Sequence, residues 1–295
     1  MLYVDTIKYL LISLRSKQWI KKLFVFVPLL FFGKLFDISY LLLTSLSFIY
    51  FCFISSSVYL INDVVDKEKD KLHPIKSKRP IAHGEISPQT AIGLSIFLII
   101  CSFLGIYSIK SNFLFGIFIA YIILNLFYSL VLKNTVILDV ISVAMGFELR
   151  IWAGSVIIGI IPSAWLQVFT FILALFISFA KRREEILSLK KVAIGHRGVL
   201  SEYRIILLDQ LIAICGGIII LAYALYALSW GILKRPRGNL VIYTIPFVVY
   251  GVFRYMYLMY THKKGGDPTE IVFTDKPLLI NLFLWALSIL VIMYS

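Results

Sequence analysis

The sequence contains little charge. Only 15% of its 295 residues are Asp, Glu, Lys or Arg, whereas 60% are hydrophobic, and the mean hydropathy is +0.91. Soluble domains have roughly 45 to 50% apolar residues. The composition therefore excludes an ordinary soluble domain and predicts an integral membrane protein of the all-α class.

Cysteine is also scarce. Cys52, Cys101 and Cys215 all lie within apolar runs, and no two of them have CxxC spacing. This pattern supports neither a disulfide framework nor a zinc site, so we expect all three to be packing residues. A short apolar run followed by a small-residue cleavage site is lacking as well, so we expect the first apolar segment to stay in the mature protein.

Apolar segments near the ~20 residues that cross a bilayer recur along the chain. They predict nine transmembrane helices in a single catalytic domain, residues 1–295, with polar loops at about 65–89, 181–203 and 261–276. The predicted spans are about 23–36, 38–61, 90–109, 112–132, 136–160, 163–180, 205–228, 240–260 and 277–294.

The basic residues are distributed unevenly between the two sides of such a bundle. The net charge is +13, and 22 of the 29 lysines and arginines fall on the side that carries the amino terminus. The positive-inside rule places that side in the cytoplasm. We attribute the basic excess to orientation and to anionic membrane lipids, and predict no nucleic-acid partner.

Residues 62–84 read NDVVDKEKDKLHPIKSKRPIAHG. On a helix, Asp63, Asp66 and Asp70 would share one face. Magnesium bridged to a phosphate ligand commonly relieves the repulsion between such carboxylates. A solvated helix end is the alternative, but the basic segment 76–79 that follows favours a metal together with a polyanion.

Ionisable residues also occur inside the predicted fifth span, where they are costly and usually functional. They are Asp139, Glu148 and Arg150, and pairing between helices is an alternative explanation for them. Asp139 lies near the predicted cytoplasmic end, so Arg150 is the stronger candidate for substrate contact. The sixth span ends in KRREE, residues 181–185, which predicts a basic wall facing the aspartates across a cavity, although flanking charge alone would also explain it.

The motif NDVVDKEKD resembles the NDxxDxxxD motif of the UbiA superfamily of membrane prenyltransferases. Further segments resemble the decaprenyl-phosphate phosphoribosyltransferase branch of that superfamily, over nearly the whole chain. They are IKSKRPIAHGEIS, YSLVLKNTVILDVISVAMGFELRIWAGSV, FAKRREEI and FRYMYLMYTHKKGGDPTEIVFTDKPLL. The resemblance implies a UbiA-type bundle with a cytoplasm-facing polar cavity, in the bacterial plasma membrane, and is compatible with a homo-oligomer.

The resemblance also implies roles for individual residues. Asn62, Asp63, Asp66 and Asp70 would hold Mg²⁺ on the diphosphate of phosphoribosyl diphosphate, and the phosphate of a polyprenyl phosphate would attack C1 of the sugar. The residues expected to bind phosphate groups are Lys78, Arg79, Tyr128, Lys133, Arg150, Lys181 and Arg182, with Lys21 a weaker candidate. A loop at Gly265, Gly266 and Asp267 is expected near the pocket.

One departure separates this chain from the aromatic prenyltransferases of the superfamily. Those enzymes carry a second aspartate-rich motif after the sixth helix, where this chain has KRREE. The departure favours two phosphate-bearing substrates over the alternative, a prenyltransferase with a prenyl diphosphate donor. A transporter or lipid-binding protein is a third interpretation, but no internal repeat of the kind many transporters have is evident.

Overall fold

The computed structural model describes residues 2–72, 76–189, 199–232, 238–261, 271 and 274–294. Within these ranges every regular element is a helix. The α-helices are α1 (Leu2–Ser13), α2 (Val27–Phe32), α3 (Ile38–Val65), α4 (Lys67–Lys71), α5 (Pro80–His83), α6 (Pro88–Ile109), α7 (Asn112–Leu130), α8 (Leu138–Ile157), α9 (Ala164–Leu189), α10 (Val199–Glu202), α11 (Ile205–Ile232), α12 (Ile245–Thr261) and α13 (Lys276–Tyr294). The 3₁₀ segments are Ser16–Phe26, Lys76–Lys78, Leu132–Asn134 and Gly238–Thr244.

Eight helical segments in the described part of the chain are long and apolar enough to cross a membrane. Their outer surfaces carry large exposed hydrophobic side chains, such as Phe97, Phe113 and Leu221. Such surfaces suit a lipid environment and would be costly in water. The predicted class, an all-α multi-pass membrane protein, is confirmed.

The predicted first span, 23–36, is not one regular helix. The 3₁₀ segment Ser16–Phe26 leads into the short helix α2, whose first turn contains Pro28, and Gly33 ends α2 with a left-handed φ of 77°. Proline lacks the N–H that would continue an earlier helix, and glycine accepts the left-handed conformation at little cost. These two residues confine the α-helical part to six residues.

This irregular segment nevertheless runs the length of α3. Its contacts, in order, are Arg15 with Asp63, Trp19 with Ser56, Phe26 with Phe48 and Phe32 with Tyr40. At about 2 Å per residue in 3₁₀ and 1.5 Å in α conformation, residues 16–32 extend about 30 Å, the thickness of a bilayer core. The structure describes eight helices of spanning length, one fewer than the nine transmembrane helices predicted, and this irregular segment stands at the position of the predicted first span.

The chain forms two compact units. One comprises residues 1–132 and 149–161, and the other comprises residues 133–148 and 162–295. The end of α8 belongs to the first unit and its beginning to the second. The single catalytic domain predicted over residues 1–295 stays a prediction.

Aromatic packing organises the core of the first unit. The ring of Phe51 on α3 makes edge contacts with Phe118 and Tyr121 of α7, at centroid distances of 5.3 and 4.7 Å. Gly154 of α8 lies directly against Val25, since a Cβ added at Gly154 would be 1.9 Å from the Val25 carbonyl oxygen. Glycine at this position allows the 3₁₀ segment to approach α8 closely.

The second unit is built around α9, α11, α12 and α13, with a continuous buried cluster that includes Phe176 and Leu208. One group of polar side chains in this unit is paired. The hydroxyl of Tyr223 contacts Thr244 Oγ1 at 2.6 Å and accepts a hydrogen bond from the indole N–H of Trp285 at 2.8 Å. Buried hydroxyl and indole groups need such partners.

Candidate active site

The sequence predicts that the three aspartates lie on one helix. In the structure, the motif is divided between two helices. Helix α3 ends at Val65, Asp66 has φ −89° and ψ 6°, and α4 begins at Lys67. Asp63 on α3 and Asp70 on α4 are each only 3% exposed, whereas Asp66 is half-buried. The first and third aspartates of the motif are therefore its buried pair.

Arg79 joins these two carboxylates. Its Nη1 lies 2.9 Å from Asp63 Oδ1 and 2.6 Å from Asp70 Oδ2. Lys76 Nζ lies 3.9 Å from the other oxygen of Asp70. The first and third aspartates therefore share one cationic nitrogen.

Local backbone features place Arg79. It is the extended residue that precedes α5, and Pro80 occupies the first turn of that helix. Gly84 ends α5 in the left-handed region, with φ 95°. Proline at a helix start and glycine past its end are the favoured arrangement, so the short helix fixes the arginine opposite the aspartates.

Arg15 is a site residue that sequence reasoning missed. Its Nη2 lies 2.6 Å from Asp63 Oδ1, and its Cζ lies 4.7 Å from the centre of the Tyr59 ring. Its backbone is left-handed, with φ 52°, a conformation that costs about 1 to 2 kcal/mol for a residue with a side chain. In the sequence, Arg15 is indistinguishable from an ordinary basic flank of the first span.

The two aspartates fit a divalent cation held jointly with substrate oxygens. Among the described residues, no three His, Cys, Asp or Glu side chains converge as a complete metal-binding group. Magnesium, however, is usually held by one or two carboxylates together with phosphate oxygens. A cationic nitrogen already lies between Asp63 and Asp70, which shows that these carboxylates are spaced to share one positive charge.

Asn62 has a different partner. Its side-chain oxygen accepts a hydrogen bond of 2.8 Å from the hydroxyl of Ser129 on α7. This bond ties α3 to α7 at the level of the aspartates. Tyr128, the residue beside Ser129, is half-buried. The predicted roles of Asn62 in metal binding and of Tyr128 in phosphate binding stay predictions.

Arg150 is buried in the first unit. It is 6% exposed, and its Cζ lies 5.5 Å from the ring centre of Phe51 and 5.6 Å from that of Tyr121. Its Nη2 donates to the hydroxyl of Tyr121 at 3.4 Å. The aromatic walls hold the guanidinium by cation–π contacts.

Two other predicted phosphate-binding residues of the first unit lie nearer the surface. Lys78 is exposed at the end of the segment Lys76–Lys78, and Lys21 is half-buried in Ser16–Phe26. The structure therefore brings Asp63, Asp70 and Arg79 into direct contact but leaves Lys78 outside that contact.

The basic end of α9, in the second unit, is neutralised by carboxylates. Arg182 donates from Nε to Asp139 at 2.7 Å and from Nη1 to Glu185 at 2.6 Å. Arg183 donates to Asp209 on α11 at 2.5 Å. Two of the three basic residues of KRREE, the segment that was expected to form a basic wall, are thus in ion pairs. Asp139 forms the pairing between helices that was the alternative explanation for its position.

Tyr203 adds a second link to Asp139. Its hydroxyl donates to Asp139 Oδ1 at 2.7 Å and accepts from the backbone N–H of Ile137 at 2.7 Å. Burial, and then the hydrogen bond to Asp139, raise the pKa of Tyr203 above its ordinary value. The hydroxyl therefore remains protonated and keeps donating at physiological pH.

The remaining candidates of the second unit are Lys133 and Lys181, both half-buried, and Glu148, which is buried. Glu148 Oε1 makes no hydrogen bond within the described part of the chain. The predicted loop at Gly265, Gly266 and Asp267 lies outside the described residues. The predicted cavity between an acidic and a basic wall stays a prediction.

The chain is similar to known proteins over most of its length. Residues 23–287 match the model of the UbiA prenyltransferase family. A decaprenyl-phosphate phosphoribosyltransferase of Corynebacterium glutamicum is 30% identical over 289 residues, which cover 96% of this chain and 86% of the relative. The protein of the same name from Mycolicibacterium smegmatis is also 30% identical, over 92% of this chain and 88% of its own length.

Solved structures show the same fold. A UbiA homologue of Archaeoglobus fulgidus bound to DMAPP and Mg²⁺ superposes with a TM-score of 0.72 over 96% of this chain and 98% of its own, at 20% identity. The same homologue bound to GPP and Mg²⁺ gives a TM-score of 0.71 at 20% identity. The family match, the relatives and the shared fold agree: this chain is a membrane transferase that belongs to the UbiA prenyltransferase family.

Proposed function

We propose that the protein transfers the 5-phosphoribosyl group from phosphoribosyl diphosphate to a polyprenyl phosphate in a Mg²⁺-dependent reaction. The products would be polyprenyl-phosphoryl 5-phosphoribose and diphosphate, and the lipid product would serve as a precursor of lipid-linked arabinose. The observation that carries the proposal is the buried pair Asp63 and Asp70 around one cationic nitrogen, with Arg15 and Arg79 beside it. The names of the relatives from C. glutamicum and M. smegmatis, decaprenyl-phosphate phosphoribosyltransferase, support the choice of a polyprenyl phosphate acceptor and of a transferred phosphoribosyl group.

Asp63 and Asp70, with Asp66 and Asn62 nearby in sequence, would hold the magnesium ion. Bound there together with the donor's diphosphate, the ion would offset the negative charge that builds as the C1–oxygen bond breaks. Arg15 and Arg79 present guanidinium groups, which bind phosphate oxygens through paired hydrogen bonds. Since the ion would take the position that Arg79 Nη1 holds between Asp63 and Asp70, Arg79 would exchange the carboxylates for diphosphate oxygens.

The acceptor is itself a phosphate anion at neutral pH, so its attack on C1 requires no strong general base. What the site must supply is positive charge for several phosphate groups at once. The side chains proposed for this task are Lys21, Lys78, Arg79, Tyr128, Lys133, Arg150, Lys181 and Arg182. Arg182 is paired with Asp139 and Glu185, so it would have to exchange these partners to take part.

The prenyl tail would lie among the apolar helices and enter from the lipid. We propose that the reaction takes place on the cytoplasmic side of a bacterial plasma membrane, where the distribution of basic residues puts the aspartate motif. A homo-oligomer is compatible with the function, because every residue assigned above lies within one chain.

Transfer by the purified protein tests the proposal. Protein in lipid nanodiscs is incubated with radiolabelled phosphoribosyl diphosphate, Mg²⁺ and polyprenyl phosphates of several chain lengths, and the lipid product is identified by mass spectrometry. A labelled lipid of the expected mass is the predicted result. Absence of product at every chain length, or transfer from a prenyl diphosphate instead, would contradict the proposal and favour the alternative reaction.

A pair of variants tests the role of the aspartates. Asp70→Asn removes a carboxylate from the cation site and should lower transfer by at least about a hundredfold, the effect of losing roughly 3 kcal/mol of charge stabilisation. Glu68→Gln is the control, because Glu68 is exposed and pairs with Lys71. The hydrogen bond from Lys71 lowers the pKa of Glu68. Both variants replace one carboxylate of the same short helix by an amide. Equal effects of the two changes would contradict the assignment.

A further inference from the structure

Lys22 is a buried cation to which the reaction scheme above gives no role. It lies in the 3₁₀ segment Ser16–Phe26, and only 1% of its surface is exposed. Lysine is almost never fully buried unless a partner compensates its charge. A 3₁₀ run of this length is itself unusual, since most end after three or four residues.

No carboxylate in the described part of the chain forms an ion pair with Lys22. Its contact is with an aromatic ring, because Nζ lies 5.5 Å from the ring centre of Tyr59. Arg15 lies against the same ring, at 4.7 Å, and its guanidinium pairs with Asp63. Lys22 and Arg15 therefore contact the same aromatic ring, and Arg15 links that ring to Asp63.

A second buried basic residue lies on α8, the helix that touches the 3₁₀ segment. Arg150 is held among the rings of Phe51 and Tyr121, four residues before Gly154, which lies directly against Val25. Two like charges in a region of low dielectric disfavour each other. A bound anion between them would relieve both the repulsion and the cost of burial.

The backbone is built to keep these two cations near each other. Val25, three residues after Lys22, touches Gly154, four residues after Arg150, so closely that no side chain fits between them. The contact fixes the 3₁₀ segment against α8 at about one helical turn from each cation. Packing of the two backbones thus keeps both residues within about one turn of the same contact.

We propose that Lys22, together with Arg150, binds a phosphate group of a substrate in a buried subsite lined by Phe51, Tyr59 and Tyr121. The inference rests on the proposed function, because it takes its ligand class from that reaction. The shared chemistry is a phosphate oxyanion, and both the donor diphosphate and the acceptor lipid phosphate carry it. Binding measurements on each substrate alone distinguish these two sources.

The test compares Lys22→Met and Lys22→Arg in nanodiscs. Phosphoribosyl diphosphate with Mg²⁺ and farnesyl phosphate are titrated separately by calorimetry, and the Tm is recorded with and without each. Lys22→Met should weaken binding of one of the two ligands about ten- to a hundredfold, the value of a charged hydrogen bond. Lys22→Arg, which keeps the positive charge, should recover most of that loss. Lys110→Met is the control, because Lys110 is an exposed lysine at the end of α6.

The Tm of the ligand-free protein separates this role from a structural one. If the role of Lys22 is to bind an anion, Lys22→Met should leave the Tm of the ligand-free protein unchanged or raise it. The reason is that the change removes a buried charge. The rise in Tm on adding ligand should then be lost. A fall in the Tm of the free protein with unchanged ligand affinity would show that the contact with Tyr59 is structural and would overturn the inference.

Two further outcomes keep the inference apart from the proposed function. If the wild-type protein transfers phosphoribosyl groups and Lys22→Met does so with unchanged affinity for both substrates, the subsite is wrong and the function stands. If the wild type shows no transfer but binds one phosphate ligand in a manner that depends on Lys22, the subsite stands and the function is wrong. Should Lys22→Met not fold, Lys22→Gln keeps the polarity without the charge, and its affinities decide in the same way.

Discussion

At the scale of single residues, Arg79 is the side chain that pairs with both Asp63 and Asp70. Replacing it by Met would leave Asp63 and Asp70 buried together without their shared cation. Because Arg79 is itself 28% exposed, the loss should be smaller than for a fully buried pair, about 2 kcal/mol in the free energy of unfolding. Thermal unfolding in detergent measures it. Mg²⁺ should raise the Tm of Arg79→Met more than that of the wild type, because the carboxylates are then open to the ion.

Lys71→Met is the matched control for this experiment. Lys71 pairs with Glu68 at the exposed surface, where an ion pair is worth about 0 to 1 kcal/mol. A Tm that falls equally in both variants, or a Mg²⁺ effect that is the same in both, would show that Arg79 does not hold the carboxylates.

The aspartates could be recognised from the sequence because their spacing is local. The partners that define the site could not. Arg15 lies 48 residues from Asp63, and the arginines of KRREE look like available charge until Asp139, 43 residues before Arg182, is placed beside them. Residue type predicts which groups carry charge, but only tertiary contacts decide which of those charges are already neutralised.

The contact between the 3₁₀ segment and α8 is the critical feature at the scale of elements. Gly154→Ala would place a methyl group 1.9 Å from the carbonyl oxygen of Val25. A backbone group cannot rotate away as a side chain can, so the change should cost about 3 kcal/mol. It should also move Lys22 away from Arg150 and weaken phosphate binding. Tm and calorimetric affinity measure the two effects.

Gly116→Ala serves as the control, because a Cβ at Gly116 meets no atom within 4 Å. In the interior of α7 this change should be neutral or stabilise by up to about 1 kcal/mol. If Gly154→Ala behaved in the same way, the close approach of segment and helix would be of no consequence for stability.

The start of α8 depends on Tyr203, which lies two residues before α11. Ile137 has φ 71°, which is strained for a β-branched residue, and its N–H is bound by Tyr203. Tyr203→Phe leaves that N–H and one oxygen of Asp139 without their partner, so it should cost about 1 to 3 kcal/mol. Tm and hydrogen exchange at residues 137–139 measure the effect. Adding Ile137→Gly should return part of the loss because glycine accepts positive φ, and no recovery would argue against strain at this position.

The long helices were predictable because their apolar runs exceed the length of a bilayer core. The predicted first span, 23–36, is the exception, because it is not one regular helix. Pro28 predicts a kink in this segment. The eleven-residue 3₁₀ segment before it, however, depends on packing along α3 and on Gly154, which is more than a hundred residues away. Local propensity cannot encode such a contact.

At the scale of the whole molecule, the net charge of +13 acts mainly through its distribution. The positive-inside rule responds to basic residues that flank spans, so lysines on opposite sides of one helix make the simplest test. Lys71 follows α3 and lies on the predicted cytoplasmic side, whereas Lys110 follows α6 and lies on the other. Both side chains are exposed, which makes them accessible to a reagent in water.

Cysteine labelling measures this orientation. Cys52, Cys101 and Cys215 are first replaced by Ala, and Lys71→Cys or Lys110→Cys is added. In right-side-out spheroplasts, a membrane-impermeant maleimide should label Lys110→Cys and leave Lys71→Cys unlabelled until the cells are lysed, while inverted vesicles should give the opposite pattern. Reversed labelling would place the aspartate motif outside the cell, where the cytoplasmic donor phosphoribosyl diphosphate is not supplied. Labelling of both positions from one side would show that α6 does not cross the membrane, and in either case the cytoplasmic assignment of the active site would fail.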